Sequence, residues 1–258
     1  MESRLPSLSV VMPAYNEETR LPPTLEHTYL FLREQQRDFE ILVVDDGSTD
    51  RTIKVTEELA DKLKADQNRI DVVSYGANRG KGFAVKSGVL RSSKDWVLMM
   101  DSDGATSITE LPRLENAMKE VDIAVGSRAI FAKDTDVITS PLRKAMGRVF
   151  NFFANCIAVP NIADTQCGFK LFKREPAQFL FSRLKSERFS FDVEILHMAQ
   201  KVGMKIAEIP INWRNISGSK VNLVGDSLHM FLDLIKIRLQ HRNLSKHDLS
   251  QIDLTQKK

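Results

Sequence analysis

Two carboxylates two residues apart, Asp101 and Asp103, close the apolar run Trp96–Met100, and a glycine follows. In an extended segment residues i and i+2 project to one side, so both carboxylates can face one cation or one sugar nucleotide. A hard divalent ion takes a few carboxylate oxygens and fills its remaining positions with water and substrate phosphates. Asp-Ser-Asp-Gly is also sound turn chemistry, and the pair alone does not separate the two readings. Four other apolar runs end in the same way, which favours the metal. Tyr15, Asn16 and Glu17 follow Leu8–Met12; Asp45, Asp46 and Ser48 follow Ile41–Val44. Asn78, Arg79 and Lys81 follow Val72–Tyr75, and Ser127 and Arg128 follow Ile123–Val125.

Each group has a plainer alternative. Asp45-Asp-Gly-Ser-Thr-Asp50 makes a loop and helix cap, but one carboxylate is enough to cap, which leaves Asp45 to accept hydrogen bonds from a nucleobase. Gly76-Ala-Asn-Arg-Gly-Lys-Gly82 has three residues between its first glycines and a glycine after Lys81. A Walker loop has four, then Ser or Thr after the lysine, so an ATPase is disfavoured. Lys81 at the head of a helix still suits a phosphate through its charge and the exposed amides; the alternative is a flexible basic turn. In Asp164-Thr-Gln-Cys-Gly-Phe-Lys-Leu-Phe172 polar residues interrupt an apolar context, and Cys167, with no His nearby in sequence, reads as a small buried thiol. Of Asp192 and Glu194, one lines the site and the other caps or pairs. Lys220 is a cation on a flexible loop, able to close over an anion or to remain an ordinary surface lysine.

The elements that position these residues follow from periodicity. Helical spacing over about 21–36, Thr52–Leu63 and Phe83–Leu90 alternates with continuous apolar strands, which predicts a parallel sheet covered on both faces. In such a sheet ligands sit beyond the carboxyl ends of the strands, where all five polar groups fall. The second half is less regular. Arg143–Val159 is amphipathic and phenylalanine-rich with Arg143, Lys144 and Arg148 at its start, a pattern that suits an interfacial helix or core packing equally. Residues Asn222–Arg242 carry a second helical stripe.

The 258 residues, 42% hydrophobic and 28% charged, describe an ordinary globular chain. A net charge of +3 does not signal nucleic acid, and two cysteines make no disulfide framework. No apolar run reaches the roughly 18 to 20 residues that span a bilayer, and the N-terminus has no signal-peptide core.

Val11-Met-Pro-Ala-Tyr-Asn-Glu17, Val43-Val-Asp-Asp-Gly-Ser-Thr-Asp50, Asn78-Arg-Gly-Lys-Gly82 and Asp101-Ser-Asp103, in this order, resemble the family 2 inverting glycosyltransferases of the GT-A fold. Asp103-Gly-Ala-Thr106, Asp164–Phe172, Phe191-Asp-Val-Glu194, Ile211-Asn-Trp213 and Gly218-Ser-Lys220 look like the dolichyl-phosphate β-glucosyltransferase branch, with dolichol-phosphate mannose synthases as near relatives. The resemblance runs from about residue 8 to about 239.

It implies an α/β, Rossmann-like, mostly parallel sheet with helices on both faces and a helical acceptor-side C-terminal part. One domain over 1–245 is expected: a nucleotide-sugar half at about 5–128, an acceptor half at about 129–245, and a polar tail at 246–258. Pro13, Tyr15, Glu17 and Asp45 would hold the nucleoside, and Lys81 would lie near the diphosphate. Asp101, Ser102 and Asp103 would serve nucleotide and metal, Mg2+ or Mn2+, with Asn78 in the nucleotide-sugar set. The implied reaction moves glucose from UDP-glucose to a polyprenyl or dolichyl phosphate with inversion. Lys81 and Arg128 would offset charge, Arg143, Lys170 and Lys220 would meet the acceptor phosphate, and Asp164, Gln166, Asp192 and Glu194 would line the site. The expected location is cytoplasmic and peripheral on a membrane surface, the endoplasmic reticulum face in a eukaryote, without a transmembrane segment. Rival readings are a GDP-mannose-dependent mannose synthase, a family 2 enzyme with a non-lipid acceptor, and a nucleotide-sugar-binding module without catalysis, which would not need Asp103.

Overall fold

The computed structural model describes residues 5–63, 69–216 and 225–249, with side chains except at 142–143 and 225–230. Nine strands are β1 (Leu8–Ala14), β2 (Phe39–Asp45), β3 (Arg69–Ser74), β4 (Trp96–Met100), β5 (Ile123–Ser127), β6 (Val137–Ile138), β7 (Phe169–Lys173), β8 (Ile206–Pro210) and β9 (Trp213–Arg214) among the described residues. Seven form one sheet in the order β3-β2-β1-β4-β7-β5-β8, and β6 pairs with β9 in a separate ribbon. β1 and β2 are buried at every position, as strands covered on both faces must be.

The helices are α1 (Leu21–Glu34), α2 (Thr52–Leu63), α3 (Lys81–Arg91), α4 (Leu111–Ala117), α5 (Pro141–Ile157), α6 (Arg174–Arg183), α7 (Phe191–Val202) and α8 (Gly225–Gln240). Pro22 and Pro23 sit in the first turn of α1, where a missing N–H costs nothing. Apolar stripes of α1, α2 and α4 pack on one face of the sheet. Stripes of α3, α6, α7 and α8, with Ala154 of α5, pack on the other.

One element departs from the sequence reading. Asp164–Phe172 was read as polar residues breaking an apolar context; from Phe169 onward it is a strand, β7, inserted antiparallel between β4 and β5. Lys170 and Lys173 hide its apolar pattern. The reversal matters for the site: an antiparallel strand delivers its first residues, not its last, to the carboxyl edge of its neighbours. Phe169 stands opposite Met100, and the Asp101 N–H donates to the Gly168 carbonyl at 3.1 Å.

Candidate active site

The loops after β1 and β2 are sewn together by their own polar residues. Asn16, in a left-handed conformation at φ 52°, accepts the Thr49 N–H at 2.7 Å and donates its own N–H to Ser48 Oγ at 2.9 Å. Asp46 accepts from Tyr75 Oη at 2.7 Å, from the Arg79 N–H at 2.8 Å and from the Gly80 N–H at 2.9 Å. That one carboxylate fixes the β3–α3 loop, and therefore where Lys81 starts α3. Asp45 accepts the Gly47 and Ser48 amides at 3.2 Å each, so its loop uses part of its acceptor capacity. Pro13 is buried at the end of β1, past Val11, where pairing with β4 stops. Tyr15 stands exposed beside it, and Asn78 is exposed on the β3–α3 loop. Ser102 is buried between the two aspartates.

Asp101 is the centre of the charged cluster. Lys81 Nζ lies 2.6 Å from its buried Oδ1, an ion pair. Burial works against the Lys81 charge, but Asp101 and Asp192 outweigh it and raise its pKa. Asp103 accepts the Ala105 N–H at 3.0 Å. Burial, then the charge of Asp101, push its carboxyl pKa up despite Lys81 and Arg20. Asp103, whose own charge is disfavoured by burial and by Asp101, gains from a cation. Among the described residues no cluster of three or more His, Cys, Asp or Glu side chains forms a protein cage for a metal. The two carboxylates of Asp101 and Asp103 fit an ion of the Mg2+ type, which takes one or two carboxylates and leaves positions for phosphates.

Arg128 and Asp164 form a bidentate pair, Nε to Oδ2 at 2.7 Å and Nη2 to Oδ1 at 2.8 Å, and the guanidinium lies 5.4 Å from the centre of the Trp213 ring. Burial disfavours both charges, but each partner outweighs it for the other. Asp164 is itself seated by its N–H on Glu208 at 2.7 Å, and it accepts the Gln166 N–H at 3.2 Å.

Two expectations need correction. Lys170, assigned to the acceptor phosphate, is 0% exposed and donates to Asp192 at 2.5 Å and to the Cys167 carbonyl at 2.6 Å. It points inward from β7 and neutralises Asp192, whose pKa burial nevertheless raises. Glu194 does not line the site: it accepts the Lys185 and Ser186 amides at 2.8 Å each and pairs with His241. Asp101, expected to serve nucleotide and metal, is also ion-paired with Lys81. The side chain of Arg143 and the whole of Lys220 lie outside the described residues.

Sequence reading passed over two residues. Arg20 forms a bidentate ion pair with Glu17, its Nε at 2.7 Å from Oε2, and its charge acts on Asp103 and Asp101; the i, i+3 spacing of Glu17 and Arg20 was the available signal. The other is Gly168. A Cβ there would lie 2.0 Å from Asp101 Oδ2, and a glycine before an apolar strand is the usual mark of such close approach.

The model of Glycosyl transferase family 2 matches residues 9–181 of this chain. The chain belongs to glycosyl transferase family 2. It is 41% identical over 252 residues to the dolichyl-phosphate beta-glucosyltransferase of Homo sapiens, covering 93% of this chain and 77% of that protein. The Dictyostelium discoideum protein of the same name is 40% identical over 246 residues, 91% of this chain and 74% of its own. The Saccharomyces cerevisiae one is 35% identical over 249 residues, with 91% and 75% covered. Among solved structures, mannosyl-3-phosphoglycerate synthase from Rubrobacter xylanophilus superposes with a TM-score of 0.69 at 17% identity, over 92% of this chain and 75% of that one. Glucosyl-3-phosphoglycerate synthase from Mycobacterium tuberculosis, in complex with Mn2+, UDP-glucose and phosphoglyceric acid, gives 0.66 at 20% identity, over 93% and 80%. These likenesses show the GT-A fold. As a family 2 member the chain is a glycosyltransferase, an enzyme and not a bare binding module.

Proposed function

We propose that this glycosyltransferase moves glucose from UDP-glucose to a dolichyl-type polyprenyl phosphate, with inversion, in a reaction dependent on Mg2+ or Mn2+. The observation that carries the reading is the cluster of Lys81, Asp101 and Asp103 at the carboxyl edge, in a chain 35 to 41% identical to dolichyl-phosphate beta-glucosyltransferases. The structural neighbour crystallised with Mn2+ and UDP-glucose supports donor and metal.

The acceptor phosphate is the nucleophile. Its second pKa is about 6, so it is already anionic at neutral pH and needs no strong general base. An acceptor oxygen bonds to the anomeric carbon from the face opposite the departing UDP, which leaves with the bonding electron pair. The obstacle is repulsion between two anions. Lys81, held protonated by Asp101 and Asp192, is placed to meet the diphosphate together with the first amides of α3. Asp103, with a share of Asp101, would hold the divalent ion, which when bound supplies Lewis-acid neutralisation of the leaving group. Arg128, oriented by Asp164, and Arg143 and Lys220 are the cations proposed for the acceptor side. Pro13, Tyr15, Glu17 and Asp45 are proposed around the nucleoside, and the chain is read as one domain with a nucleotide-sugar half at about 5–128 and an acceptor half at about 129–245.

The lipid reading has its own support. α5 and α8 pack together, with Phe153 on Phe231 at 5.0 Å between ring centroids. They expose Val149 and Phe152 at 58% and 64%, and Leu232, Ile235 and Leu239 at 58%, 47% and 62%, flanked by exposed Lys144, Arg148, Lys236 and Arg242. Apolar side chains rimmed by cations suit an anionic bilayer surface. No helix among the described residues is long and apolar enough to cross a membrane. We place the enzyme peripherally on a cytoplasmic membrane face, that of the endoplasmic reticulum in a eukaryote. Co-sedimentation with anionic liposomes, lost in Phe152→Asp/Leu239→Asp, checks this; a parent protein that stays in the supernatant counts against it.

The decisive assay offers radiolabelled UDP-glucose, UDP-galactose and GDP-mannose with a short polyprenyl phosphate and Mn2+. Lipid-linked label from UDP-glucose supports the proposal. Label from GDP-mannose alone makes the enzyme a mannose synthase, and no lipid-linked label from any donor removes the lipid.

A further inference from the structure

The end of α3 that carries Lys81 does not rest on the sheet edge alone. It is backed by the segment 184–188, which joins α6 to α7. The Phe83 N–H donates to the Glu187 carbonyl at 3.0 Å, Lys86 Nζ donates to the Leu184 carbonyl at 2.7 Å, and Arg79 pairs with Glu187 at 2.5 Å. The approach is close enough to require glycine: a Cβ on Gly80 would lie 2.5 Å from the Glu187 carbonyl oxygen, and one on Gly82 would lie 2.5 Å from that of Ser186. Wherever this segment sits, the turn Gly80-Lys81-Gly82 must follow.

The position of the segment is set from behind by one side chain. Glu194, in the first turn of α7 and 0% exposed, accepts the Lys185 N–H on Oε1 and the Ser186 N–H on Oε2, at 2.8 Å each. His241, just past α8, lies 2.7 Å from Oε1, and Ser190 Oγ donates to Asp233 of α8 at 2.5 Å. A carboxylate is the only ordinary side chain of this length that accepts on both oxygens, so no isosteric replacement keeps both amides bonded.

We propose that Glu194 is a positioning residue for the reaction: by clamping segment 184–188 it sets the height of the α3 terminus, and thus the placement of Lys81 and the first α3 amides against the donor diphosphate. This rests on the reading that Lys81 meets that diphosphate.

The test compares four variants by donor KM, kcat and thermal unfolding, with hydrogen exchange at residues 80–84. In Glu194→Gln the new amide faces a backbone N–H with a donor of its own, and one charge-assisted bond is lost. A loss of that size corresponds to roughly a tenfold weaker hold, so donor KM should rise about tenfold, with faster exchange at 80–84. Lys86→Met cuts the same segment from the α3 side at a half-buried position, so it carries the test if Glu194→Gln fails to fold; it should raise donor KM in the same direction. Glu40→Gln removes an equally buried carboxylate at the far end of β2 and should lower the melting temperature without moving donor KM. Lys81→Ala reports the underlying reading. If Lys81→Ala weakens donor binding while Glu194→Gln and Lys86→Met leave KM and exchange unchanged, the positioning role is wrong and the Lys81 reading stands. If Glu40→Gln raises donor KM as much as Glu194→Gln, the effect is general destabilisation and the proposal fails. If Lys81→Ala changes nothing, both fall together.

Discussion

Gly168→Ala isolates the placement of Asp101 without touching any charge. The added Cβ would lie 2.0 Å from Oδ2, 2.3 Å from Cγ and 2.5 Å from Oδ1, where ordinary contact begins at 3.4 Å, so the carboxylate must retreat by about 1.4 Å. A retreat of that size breaks the 2.6 Å approach of Lys81 to Asp101. Misplacing a reacting constellation by about 1 Å costs on the order of 10²-fold in rate. The stability cost should be small, about 1 kcal/mol at the low end of overpacking, because the Asp101 side chain is 33% exposed and has water to swing into. Gly147→Ala is the matched control: nothing lies within 4 Å of its Cβ, and alanine inside α5 should stabilise by about 0.5–1 kcal/mol. The assay is sugar transfer to a short polyprenyl phosphate under kcat/KM conditions, with melting curves alongside. We expect Gly168→Ala to lose about two orders of magnitude at a nearly unchanged melting temperature, and Gly147→Ala to lose nothing. Wild-type turnover in Gly168→Ala would refute the reasoning, because the close approach could then not be what places Asp101.

Other tests follow from the same geometry. Lys170→Met strands Asp192 as a buried charge beside the catalytic edge and should cost about 3–5 kcal/mol; adding Asp192→Asn should recover part of it, and a strictly additive double variant in chemical denaturation contradicts the pairing. Glu40 is buried, which raises its pKa, but hydrogen bonds from Ser9, Ser93 and Arg69 outweigh burial and lower it. A depressed folded pKa gives stability that is present above the unfolded value, about 4.3, and is lost as pH falls through the folded one. The melting-temperature gap between wild type and Glu40→Gln should therefore close below about pH 4; a gap that widens on acidification is the contrary result. Of the two thiols, exposed Cys156 should react with a disulfide reagent at pH 8, while Cys167, buried and with its pKa pushed up to about 12, should not; two equivalents of fast reaction would contradict its placement.

Much of this was legible in the sequence because it rests on local rules. Continuous apolar strands announce two-sided burial, and polar residues after each of five strands announce a common edge. What was hidden depends on long-range contact. Lys170 looked like a free cation because nothing in Phe169-Lys-Leu-Phe-Lys173 reveals that Asp192, 22 residues away, waits for it in the interior. β7 was missed for the same reason, since its lysines break the apolar run that marked the other strands. Glu194 beside Asp192 offered no way to tell which faced the site, as that depends on how α7 rotates against α3 and segment 184–188. The amphipathic pattern of α5 fitted core and interface equally, and α5 does both: Ala154 is buried, while Phe152 stands in solvent.

The central claim is that Asp103 and its neighbour Asp101 hold a divalent ion that receives a nucleoside diphosphate. Titration calorimetry of UDP into the wild-type protein and Asp103→Asn, each with Mn2+ and with EDTA, tests it most directly. The account predicts UDP binding that strengthens at least tenfold with Mn2+ in the wild type, and no such gain in Asp103→Asn. Equal UDP affinity with and without the metal, or a metal gain that survives intact in Asp103→Asn, would contradict it.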